Sequence, residues 1–63
     1  MTDLQILNRL LALHRVHVTV MGPGIHASGP LLQSGSGWRV GGFDFETSSV
    51  DDVDLDTNII HLR

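Results

Sequence analysis

The sequence predicts a mainly β domain with an N-terminal α-helix, its four to five strongly bent antiparallel strands closing a small barrel. Three observations predict it. Residues 2–14 carry apolar side chains at helical spacing behind a capping signature, and the period changes to strict alternation after Arg15. The remainder is cut into short segments by Gly22-Pro23-Gly24, Ser34-Gly35-Ser36-Gly37 and Gly41-Gly42. With 63 residues, one domain over 1–63 is expected, the helix at about 2–14 and the barrel at about 16–62. A chain this short buries only about 60 % of its unfolded surface, and with no cysteine it has no disulfide to compensate.

Helix formation begins at Thr2-Asp3-Leu4-Gln5. Thr2 is the expected N-cap, Gln5 completes a capping box, and Asp3 favours the positive end of the helix dipole. Met1 and Ile6 are placed to form a hydrophobic staple. Leu4, Ile6, Leu7, Leu10, Leu11 and Leu13 fill about half of the helical circumference, nearly twice the ~100° stripe that a surface helix needs on one core. One flank is therefore expected to pack inward and the other on a second subunit or partner, with Leu7, Leu10, Leu11 and His14 on the associating flank.

Val16 to Met21 alternates, with the valines on one face and His17, Thr19 and Met21 on the other. With Pro23 and Gly24 at the turn centre, the returning segment from Ile25 sets Met21 opposite His26, Val20 opposite Ala27 and Val18 opposite Gly29. Ser34 to Gly37 then forms a second hairpin loop leading into Trp38-Arg39-Val40. Trp38 and Val40 share a face, and a bend at Gly41-Gly42 brings Phe43 and Phe45 to the same core. The stretch Ser48 to Val53 reads as a short capped helical turn or a strand edge, and Thr57 to Leu62 as the last strand.

The run Val18-Thr19-Val20, then Gly24, then Gly29-x-Leu31 resembles the first motif of Sm-like proteins, and the order of helix and strands resembles that family too. The resemblance covers most of the chain as a pattern and rests on a handful of residues. It implies an SH3-like or Sm-like barrel that assembles edge to edge. The RNA-contacting positions of the family do not carry over, because neither its acidic or asparagine loop residue nor its second, basic-glycine motif is present.

Charge separates along the chain. Up to Gly42, three arginines against Asp3 give +2; from Phe43 on, six acids against Arg63 give −5, and the total is −3 with no lysine. Asp51, Asp52, Asp54 and Asp56 form an acidic rim suited to steering a basic partner. Nucleic acid is the second reading, with Arg9, Arg15 and Arg39 on phosphates and Trp38 as a stacking platform. Free use of arginine, glycine and aspartate without lysine suits a GC-rich genome and a phage or mobile-element protein.

The chemical motifs are weaker. Gly22-Pro23-Gly24-Ile25-His26-Ala27 has the letters of a dinucleotide fingerprint, but Gly29-Pro30 interrupts any following helix, so a turn is expected. Asp52-x-Asp54-x-Asp56-x-Asn58 begins like a calcium loop. It has Thr57 where glycine is needed and Arg63 where the bidentate glutamate should stand, so the acids read as the wet face of a strand. His17 and His26 share an outer face and supply two metal ligands at best, while His14 stands near the helix end, where its charged form suits the dipole. No serine or acid lies in a context that sets up a nucleophile and base. The expectation is a non-enzymatic cytoplasmic module without cofactor or bound metal. It would self-associate and bind a protein partner. No membrane span is expected, since no apolar run approaches about 20 residues.

Overall fold

The computed structural model describes residues 2–63 and shows one helix followed by seven short strands in two sheets. Helix α1 spans Asp3–Ala12. Its capping box is complete: Gln5 N donates to Thr2 Oγ1 at 3.2 Å and Thr2 N donates to Gln5 Oε1 at 3.0 Å. The expected Met1–Ile6 staple lies outside the described residues. At the other end Leu13 caps the helix, donating to the Arg9 and Leu10 carbonyls, two residues short of the expected boundary.

Strands β1 (His17–Gly22) and β2 (Ile25–Pro30) form the first hairpin in the register read from the sequence, with Met21 opposite His26, Val20 opposite Ala27 and Val18 opposite Gly29. Gly24 sits at φ 72°, the left-handed conformation a side chain would strain. Strand β3 (Leu32–Ser34) continues β2 after Leu31 and pairs with β4 (Gly37–Val40). Strand β5 (Phe43–Phe45) returns on β4, so that Trp38 pairs with Phe45 and Val40 with Phe43. Gly41-Gly42 is thus a tight hairpin turn, both residues at positive φ, and not a bulge in one strand. Both alternatives for the tail occur in succession, a 3-10 helix at Thr47–Ser49 and strand β6 at Val50–Asp54. Strand β7 (Ile59–Leu62) follows.

Three expectations are corrected. Seven short strands occur where four to five were expected. The strands form a four-stranded sheet, β2-β1-β7-β6, and a three-stranded sheet, β3-β4-β5, where one closed barrel was expected. Pairing is not antiparallel throughout, because β7 runs parallel to β1, Val20 beside Ile60. The turn after Asp54 reverses the chain onto β6 and thereby fixes the direction in which β7 meets β1.

The core lies between the sheets and under the helix. Val18, Val20, Val50, Val53 and Ile60 come from the larger sheet, Trp38, Val40 and Phe45 from the smaller, and Leu31 from the link between them. Ile6, Leu10 and Leu13 close it from α1, which packs over β6 and the 3-10 helix. The sheets also touch through backbone where Gly41 approaches Ser28 and Gly29.

Candidate interaction surface

Helix α1 carries two apolar stripes. Ile6, Leu10 and Leu13 turn inward, whereas Leu4, Leu7 and Leu11 remain 67 %, 37 % and 50 % exposed. At about 100° per residue the three exposed leucines fall within roughly 60° of one another, one continuous ridge. On the side facing β6, Arg9 Nη1 donates to the Val53 carbonyl at 2.9 Å.

Of the four residues expected on the associating flank, Leu7 and Leu11 are exposed. Leu10 is not: it is fully buried, because the inward stripe needs it between Ile6 and Leu13. His14 is half-buried, its ring edge-on to Trp38 at 6.2 Å between centroids, and it belongs to the margin of the core. Leu4 was missed as a flank residue although it lies three and seven residues from Leu7 and Leu11, the spacing of one helical face.

The acidic rim is partly assembled. Asp52 and Asp54 project from β6 on the solvent face of the larger sheet, Asp52 opposite His61, and Asp51 and Asp56 are exposed. Strand β6 ends at Asp54, so Leu55 and Asp56 lie in the following turn and Leu55 is solvent-facing, not a continuation of the alternation. Asp54 builds that turn. One carboxylate oxygen accepts from Asp56 N at 2.9 Å and Thr57 N at 3.3 Å. These two donors, with the nearby His61 charge as a smaller cause, hold the Asp54 carboxyl below the usual carboxylate range.

The residues of the nucleic-acid reading do not come together. Trp38 is 3 % exposed and its Nε1 donates to Thr47 Oγ1 at 3.0 Å, so its face offers no stacking platform. Arg9 is engaged with Val53, and Arg39 forms an exposed ion pair with Asp44, Nε to Oδ1 at 2.6 Å, which lowers the Asp44 pKa. Arg15 alone of the three has no side-chain partner among the described residues. His17 and His26 share the outer face of the first hairpin, but His17 pairs with Pro30 and His26 with Met21, placing them about 13 Å apart along the strands. Among the described residues no group of three or more His, Asp or Glu side chains is placed to hold a metal ion. Nor is any described helix long and apolar enough to cross a membrane.

Two open clefts indent the surface. One of about 300 Å³ lies beside Trp38 and carries Ser34, Ser36, Asp44 and Glu46; the other, of about 450 Å³, runs between the turns of the two hairpins over Ile25, Ala27 and Phe43. In the first, Asp44 is held in its ion pair with Arg39. Comparison of the chain with protein-family models, with curated proteins and with solved structures finds no match.

Proposed function

We propose that the chain is a small, non-enzymatic interaction module that self-associates through its helix and presents an acidic rim to a protein partner. The observation that carries this reading is the second apolar stripe: Leu4, Leu7 and Leu11 lie outside the core in a ridge of one width and direction. Exposing leucines singly is ordinary; a ridge of three on one face marks a contact surface. A separate acidic surface gives the module a long-range field toward a basic segment, which speeds encounter more than it adds affinity. The same reading takes the two sheets as an opened relative of the SH3-like and Sm-like barrels. It is supported by the N-terminal helix and the β2–β3 strand bent at Leu31.

The test is solution mass by light scattering over a concentration series, for the chain and for Leu7→Asp. Mass rising with concentration in the first and constant in the second is the expected result. A chain monomeric throughout ends the reading.

A further inference from the structure

We propose that α1 is the seam of a two-fold dimer of this chain, two copies of the helix crossing antiparallel along Leu4, Leu7 and Leu11 with the Asp3 end of each beside the Arg15 junction of the other. This rests on the self-association proposed above and specifies its geometry. A two-fold contact uses one patch on both sides, so the patch must complement itself. The ridge does so when antiparallel: Leu4 then lies opposite the partner's Leu11, and the two copies of Leu7 flank the axis.

Charge selects that direction. Asp3 is exposed in the first turn of α1, and Arg15 is exposed just beyond its end. A parallel pair would set Asp3 against Asp3 and Arg15 against Arg15. The antiparallel pair sets opposite charges together at both ends and opposes the two helix dipoles. A foreign helix would need this charge order supplied to it, whereas a second copy brings it.

The backbone at Arg15 is an independent observation. Arg15 has φ 69°, in the left-handed region where helices ordinarily place glycine after their last turn. Its N–H donates to the Leu31 carbonyl at 2.7 Å, a bond that glycine would make equally well. Nothing within the monomer uses the guanidinium among the described residues. A long cationic side chain kept at a strained position, four residues beyond Leu11 and without an internal partner among the described residues, is accounted for by a contact outside the monomer.

Sedimentation equilibrium of the full chain up to about 1 mM, a range chosen for a small and therefore weak interface, tests the arrangement. The set comprises the unaltered chain, Leu11→Arg, Asp3→Arg, Arg15→Asp and the double reversal, each checked for folding by circular dichroism. Expected are a concentration-dependent dimer, its loss in Leu11→Arg, weakening of about two- to five-fold per ion pair in each single reversal, and recovery in the double. Should the chain dimerise and lose the dimer in Leu11→Arg while the double reversal stays weak, the antiparallel arrangement is overturned and self-association stands. Should it dimerise and Leu11→Arg dimerise equally, α1 is not the seam. A monomer at every concentration overturns both.

Discussion

Arg9 and Val53 stand 44 residues apart in sequence, yet a guanidinium N–H of the first donates to the carbonyl of the second at 2.9 Å. This bond joins the helix to an edge strand of the larger sheet, alongside the buried Ile6, Leu10 and Leu13. It also gives a partner to a carbonyl on an edge strand, which α1 covers. Arg9→Met keeps the apolar stem and removes the donor. A loss of about 1–2 kcal/mol in urea unfolding is expected, a large share of the roughly 3–9 kcal/mol that a chain of 63 residues commands. An unchanged midpoint would show that the core contacts alone fix the helix.

Adjacent glycines in the β4–β5 turn separate backbone strain from steric contact. Both have positive φ, 56° at Gly41 and 83° at Gly42. A Cβ on Gly41 would lie 2.7 Å from the Ser28 carbonyl oxygen, whereas one on Gly42 would meet nothing within 4 Å. Gly42→Ala should cost about 1 kcal/mol from conformation alone. Gly41→Ala adds the displacement of one sheet from the other, for about 2–3 kcal/mol in all. Equal losses in denaturant titrations would mean that the two sheets yield freely at this contact.

What was legible in the sequence was local. The capping box and the first hairpin register depend on residues within a few positions of one another, so the pattern of types is enough, whereas Gly41-Gly42, read as a bend in one strand, is a hairpin turn. The parallel meeting of β1 and β7 was not legible, because Val20 and Ile60 are forty positions apart and alternation does not encode strand direction. Leu10 shows the same limit at the candidate site. Helical spacing gave the width of the apolar arc, but where the arc divides between core and solvent depends on how α1 sits on β6 and the 3-10 helix, which lie about forty residues away in sequence. Trp38 was read two ways, on the core face with Val40 and, in the nucleic-acid reading, as a platform; the core placement is the one found, with Thr47 accepting from its N–H.

Acid should destabilise the protein, in part through Asp54. Its folded carboxyl titrates lower than in the unfolded chain because Asp56 and Thr57 donate to the charged form. Asp44, held low by Arg39, acts in the same sense. With folded pKa values depressed, the unfolded chain takes up protons first, so this stabilisation is complete above about pH 5 and is lost as pH falls through and below about 4. Asp54→Asn keeps an acceptor for the turn and removes the titration. Denaturation midpoints of the variant should therefore fall less steeply between about pH 5 and 3. Parallel curves would place the acid sensitivity elsewhere.

Arg15 gives the sharpest separation between what the monomer needs and what it carries. At φ 69° its Cβ makes the backbone unfavourable, while its N–H bond to Leu31 and the neighbouring bond from Leu31 N to the Val16 carbonyl hold the helix-to-strand junction. Arg15→Gly retains both bonds and relieves the strain. At concentrations where only monomer is present, stability should rise by about 1 kcal/mol, which corresponds to about 4–8 °C in Tm for a domain of this size. The same substitution removes the cation that the proposed dimer pairs with Asp3, so in that arrangement association should weaken as the fold strengthens. A variant less stable as a monomer would mean that the guanidinium supports its own chain. The reason for assigning it an external partner would then be gone.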